Sequence, residues 1–178
     1  VSIPKLDIST ITDMSYAFAN AKAILDVSEW DMNGVTTVSH MFSGSGITSL
    51  DLTKWDISTI TDMSYLFNDC TALQTVNFNS ENWRTAHVTN MSHMFANCTS
   101  ITSLNLYYFD TASLTSYDNM MMNVPVEADI SVTARFILTE EDVNYSGKFV
   151  VVLIGVFLRY TANASGVVPN TIKMENNA

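Results

Sequence analysis

Aspartate, cysteine and histidine recur at fixed intervals along this chain, and each recurrence raises a different chemistry. Asp7, Asp31, Asp56 and Asp110 stand in one column of a repeat that Arg84 interrupts. Copies stacked at roughly 5 Å, close to the spacing of paired strands, would bring these carboxylates together, and calcium takes several oxygen ligands. The favoured reading is that each Asp accepts bonds from turn amides of its own copy, so no metal or other cofactor is assigned. Cys70 and Cys98 share a second column. Two cysteines make neither a disulfide framework nor a metal site. One bridge between adjacent copies is geometrically open, but Ala21 and Ser45 hold the same place earlier, which favours a small, buried position and free thiols. His40 and His93 each stand two residues before a recurrent Phe, with Leu66 read at that place in the copy between them. A zinc pair is thereby disfavoured against solvated side chains on the outer side of a helix. No Ser-His-Asp order, glycine-rich phosphate loop or isolated carboxylate pair stands apart from the repeat. The chain is expected not to be an enzyme.

A different set of residues suits recognition. Asp26, Asp51, Asn77 and Asn105 each lie between two inward apolar residues of a short alternating segment, so they point outward along one face. Tyr107 and Tyr108 add aromatic contact area there, which favours binding over a merely solvated face. Asp26, Asp51, Asn77, Asn105 and Tyr107 are the candidate partner-binding residues.

The repeat itself must position all of these groups. DISTITDMSY occurs at Asp7–Tyr16 and again, identically, at Asp56–Tyr65, and a weaker copy between them sets the period near 25. Phe18, Phe42, Phe67 and Phe95 are spaced by 24, 25 and 28 residues. An apolar residue precedes each by four, as at Met14 and Met63, and a small one follows by three, as at Ala21 and Cys70. Positions i, i+4 and i+7 share a helix face, so this segment reads as a helix of about two turns with Asp13, Asp62 and Asn90 as N-caps. After it comes I-x-x-L-x-L, as in Ile47, Leu50 and Leu52, whose alternating end predicts a short strand. Trp30, Trp55, Trp83 and Phe109 follow the strands, Trp83 after a two-residue insertion. A copy cannot bury its apolar side chains alone, but stacked copies cover one another.

The text LDLTKWDISTITDMSYLFNDCTAL at Leu50–Leu73 resembles the BspA-like class of leucine-rich repeats of bacterial surface proteins. The resemblance covers residues 5–124, with Arg84 and the longer fourth copy as departures. It implies a right-handed leucine-rich-repeat-type α/β solenoid with a parallel β ladder and short helices. It also implies a role at a microbial surface in adhesion, with no catalytic residues to carry over. The Trp-Asp pairs suggest propeller blades, but those need a period of about 40–45.

The expected organisation is a solenoid of about four and a half coils over 1–124 and a β-rich cap, or the start of a β-sandwich appendage, over 125–178. In the second part Ile130, Val132, Ala134, Phe136 and Leu138 alternate as a half-buried strand. Phe149–Tyr160 reads as a long strand bent at Gly155, Asn163–Gly166 as a turn and Thr171–Met174 as a third strand. Net charge is −10, and residues 1–124 hold twelve acids and four bases, hence −8 of it. Such a surface repels phosphate backbones and anionic membranes, which argues against nucleic acid. The apolar run Phe149–Leu158 is too short to span a bilayer, so membrane insertion is not expected. Val1 falls near the middle of a copy, so the N-terminus reads as a cut. The expected function is a non-catalytic binding or adhesion module, extracellular or on the cell surface, for a protein or glycan partner. The alternative is a structural spacer or a receptor-binding part of a phage tail protein.

Overall fold

The structure is a computed structural model and describes residues 7–22, 26–153 and 172–174. Among the described residues there are six short strands: β1 Ser49–Asp51, β2 Thr75–Asn77, β3 Ser103–Asn105, β4 Asp129–Val132, β5 Phe149–Leu153 and β6 Ile172–Met174. All pairings are parallel. β1 pairs with β2, and β3, β4, β5 and β6 form a second sheet in chain order. In β1, β2 and β3 only the central residue, Leu50, Val76 or Leu104, is buried. One inward side chain between two polar ones is enough to fix the register, because a slip by one residue would turn it outward. A second strip of contact runs elsewhere in each layer, as parallel bridges Asp13–Thr37–Asp62–Asn90–Ser116.

The expected helices are absent, and the α/β superhelix of leucine-rich type is overturned with them. Among the described residues there is no α-helix, only a 3₁₀ turn at Glu81–Trp83, and the strands fall into two sheets instead of one unbroken ladder. The segment Met14–Ala21 and its copies are linked tight turns. Tyr16 and Asn20 have φ of 60° and 59°; His40 and Gly44, Tyr65 and Asp69, and His93 and Asn97 repeat this left-handed pair. A left-handed residue at every fourth position breaks an α-helix. The local bonds span three residues, as in Met41 N–H to Val38 O, Ser43 N–H to His40 O and Ser45 N–H to Phe42 O, each 3.0 Å.

The intervening amides leave their own layer. Val38, His40, Phe42 and Gly44 donate to the carbonyls of Asp62, Ser64, Leu66 and Asn68 at 3.0, 3.0, 3.0 and 2.7 Å. A helix satisfies its interior N–H groups internally, whereas here half of them hold the next layer. Two linked turns return the chain to the same side after four residues, so Met63 and Phe67 both point inward and are fully buried. This is why the apolar spacing imitates a helix. Asp13, Asp62 and Asn90 are correspondingly bridge residues and not helix caps.

The interior is filled by columns of like side chains. Phe18, Phe42, Phe67 and Phe95 stack at ring-centroid distances of 5.7, 5.7 and 5.6 Å. Trp55, Trp83 and Phe109 form a second column at 6.4 and 6.2 Å. Each indole is tied to the preceding strand region: Trp55 Nε1 donates to Val27 O at 2.8 Å and Trp83 Nε1 to Leu52 O at 2.6 Å. A buried indole N–H needs such a partner.

The sheet β3–β4–β5–β6 runs across residue 124, so the parallel stacking continues into the C-terminal segment. β4 stops at Val132. Ala134 is exposed, and Phe136 is buried after a tight turn whose N–H bonds Thr133 O at 3.0 Å, so the expected strand through Leu138 does not form. Gly155 and Asn163–Gly166 lie outside the described residues.

Candidate functional site

The outward residues of the strand region also shape their own backbone. Asp26, Asp51, Asn77 and Asn105 are all exposed, and each side-chain oxygen accepts the N–H two residues on: Ser28 at 3.1 Å, Thr53 at 3.0 Å, Asn79 at 3.1 Å and Tyr107 at 3.0 Å. At Asp51, Asn77 and Asn105 these Asx turns end β1, β2 and β3 and reverse the chain toward the Trp column. The Thr53 N–H and hydroxyl, with the Asn77 amide, hold the Asp51 carboxyl below the usual range. The Ser28 hydroxyl and N–H do the same for Asp26. Tyr107 is half-buried, with its ring edge-on to Tyr108 at 4.8 Å, and the Arg84 guanidinium lies 5.9 Å from the Tyr108 ring. On the same face Lys54 pairs with Glu29.

Between β2 and β3 lies an open groove of about 290 Å³. Val76 and Leu104 form its floor, with Thr75, Asn77, Asn79, Ser103, Asn105, Asp129 and Ser131 around it. β2 and β3 are adjacent in the stack but are not paired. The break coincides with the insertion that follows β2, where Ser80 caps the 3₁₀ turn Glu81–Trp83. Sequence reasoning found Asn77 and Asn105 of this groove through their alternation. It missed Asn79, Ser103, Asp129 and Ser131, because a break between two strands leaves no periodic signal.

The other sequence candidates go to separate strips. Asp7, Asp31, Asp56 and Asp110 each accept the amide two residues on, from Ser9, Asn33, Ser58 and Ala112, at 3.0, 3.1, 2.9 and 3.0 Å. Their carboxylates thus serve the turns of their own layers. At the interrupting position Arg84 pairs with Glu81 at 3.4 Å. Cys70 and Cys98 are free and buried, and their thiols donate to Phe42 O and Phe67 O, both at 3.0 Å. Burial pushes both thiols up, Cys98 far above its usual value.

The residue between His40 and His93 is Tyr65, and Leu66 is buried in the core instead. Tyr16, His40, Tyr65 and His93 form one outer column of parallel rings at 4.4, 4.3 and 4.5 Å. His93 Nε2 meets the Asn119 amide at 3.3 Å, while its buried Nδ1 has no partner among the described residues. The third histidine, His87, reaches Ile57 O through Nε2 at 2.8 Å. Counting two residues back from each Phe identifies this ring column, so the signal was in the spacing. A parallel strip of polar side chains runs beside it: Asn97 donates to Asp69 and Asn123 to Asn97, both at 2.7 Å.

The fold and these strips define an all-β protein of parallel, turn-rich layers, each about one repeat long. The chain belongs to the family described as Mycoplasma protein of unknown function, DUF285, whose sequence pattern matches residues 12–132. No curated protein and no solved structure matches the chain. Among the described residues no helix is long and apolar enough to cross a membrane.

Proposed function

We propose that this chain is a non-catalytic recognition module of a microbial surface or secreted protein, binding a protein or glycan partner through the face that bears Asp26, Asp51, Asn77, Asn105 and Tyr107. One observation carries the reading: a row of exposed polar side chains is held rigid by Asx turns and flanks a groove in the sheet. Fixed side chains lose little freedom on binding, which favours affinity. Location at a surface and the adhesive role rest on the BspA-like resemblance of Leu50–Leu73. The side chains of Asp56 and Asp62 cap turns and those of Ser39 and Ser64 bridge layers, which supports a non-catalytic reading of these repeat positions.

The test is capture on arrays of immobilised oligosaccharides and purified extracellular proteins. Wild-type chain should be retained by specific spots, and the double substitution Asp51→Lys with Asn77→Lys should abolish retention while the melting transition persists. Retention unchanged by the pair would remove the site from this face. Silence on every spot would favour the alternative, a structural spacer or phage-tail part.

A further inference from the structure

The groove between β2 and β3 is a place where the backbone pattern of the stack is left incomplete. After β1 and β3 the following residue donates to the next layer: Leu52 N–H to Asn77 O at 3.0 Å, and Leu106 N–H to Ser131 O at 2.9 Å. The corresponding bond from Phe78 N–H to Asn105 O is missing among the described residues, while Thr102 N–H still reaches Gln74 O at 3.0 Å just before the strands. The layers are therefore joined at one end of the strand pair and open at the other. Backbone donors and acceptors are strong hydrogen-bonding groups that need partners. Asn105 lines the groove beside this gap, which is rimmed by amides, hydroxyls and a carboxylate.

We propose that this groove is a subsite for a neutral oligosaccharide, an inference that rests on the recognition role above and names its ligand class. Three properties select that chemistry. The lining offers both donors and acceptors, from Asn77, Asn79, Asn105, Ser103 and Ser131, which suits a ring of sugar hydroxyls. Among the described residues its lining holds no Lys or Arg, the side chains that recognise sulfated or carboxylated glycans. Its two apolar members, Val76 and Leu104, are buried at 2% and 1% exposure, leaving no pocket for the aromatic or aliphatic anchor on which protein interfaces depend. The volume, about 290 Å³, lies just under the range for small-ligand sites, roughly 300–1,000 Å³. The outer Tyr16–His40–Tyr65–His93 column is not the sugar platform, because its stacked rings cover one another's faces.

The experiment uses the full chain on an array holding neutral, sulfated and sialylated oligosaccharides beside purified extracellular proteins, followed by titration of the best neutral hit. Asn79 and Ser103 are exposed and line the groove, and their side chains make no bond to the rest of the fold among the described residues. Asn79→Ala with Ser103→Ala should weaken that hit roughly tenfold or more, as expected for two lost hydrogen bonds. Ser113→Ala, exposed and outside the groove, should leave it unchanged. Neutral-glycan binding indifferent to the groove pair overturns the placement. Retention by proteins alone, or by anionic glycans alone, overturns the ligand class and leaves the recognition role standing. No retention at all sinks both.

Discussion

The imidazole of His40 lies flat on the phenol of Tyr65, with centroids 4.3 Å apart and planes 9° from parallel. Tyr16 covers the other face at 4.4 Å, and the Ser39 hydroxyl meets Nδ1 at 2.9 Å. Ser39 is itself linked to Ser64 Oγ at 2.9 Å, so the ring is held by three layers.

This enclosure gives the stack a pH dependence. Burial lowers His40 below its ordinary 6.5, with Asp62 opposing the shift. A base with a depressed folded pKa binds fewer protons folded than unfolded. Its stabilising contribution is complete above 6.5 and is lost as pH falls through the folded value. The melting temperature should decline in that window, and His40→Tyr should flatten the decline, since Tyr65 and Tyr16 already hold rings at the same backbone geometry. An identical slope in both proteins would assign the titration elsewhere.

The carboxylates act in a lower range with the same sign. The Ser58 N–H and hydroxyl hold Asp56 below 3.8, so its contribution is present above 3.8 and vanishes as pH drops through the folded value. Asp56→Asn keeps an acceptor for the Ser58 N–H at 2.9 Å. It should leave neutral-pH stability nearly unchanged and remove part of the acid sensitivity. Acid-unfolding curves of the two proteins that superimpose would contradict this.

Turn and helix make opposite predictions at Asn97. In a helix, Asn→Ala gains stability because Ala has the better propensity. Here Asn97 has φ of 62° and donates to Asp69 at 2.7 Å. A left-handed residue other than Gly or Asn costs roughly 1–2 kcal/mol, so Asn97→Ala should lower stability by at least that amount in urea unfolding. A stabilised variant would restore the helical reading.

The Trp column depends on its polar ties. Trp55→Phe keeps a ring at the position but leaves Val27 O without its 2.8 Å donor. Val27 O keeps the Trp30 N–H at 3.2 Å, so the loss is that of one hydrogen bond, about 0.5–1.5 kcal/mol, which should register in denaturant midpoint with an unchanged slope. A midpoint indistinguishable from wild type would show that the tie contributes nothing.

The thiols should be inert until the fold opens. Cys70 and Cys98 are fully buried and raised by burial, and the thiolate is the reactive form. A disulfide-exchange reagent at neutral pH should titrate neither in the native protein and both in denaturant. Cys70→Ser should be tolerated, since Ser45 holds the same place one layer earlier within 3.5 Å of Cys70 Sγ. Rapid native labelling would mean that this part of the core is open.

The amino-acid order alone determined which residues stack. Phe18 over Phe42, the Trp line and the outward row of Asp51, Asn77 and Asn105 follow from spacing, because identical side chains one repeat apart must occupy equivalent places. Tertiary structure decided how the chain travels between those places. A helix and two linked turns both return an apolar side chain inward after four residues. Only bonds between layers, such as Phe42 N–H to Leu66 O at 3.0 Å, favour the turns by taking amides that a helix would keep. The gap beside β2 is tertiary for the same reason: whether Phe78 meets Asn105 depends on how two layers sit together, and neither residue type records it.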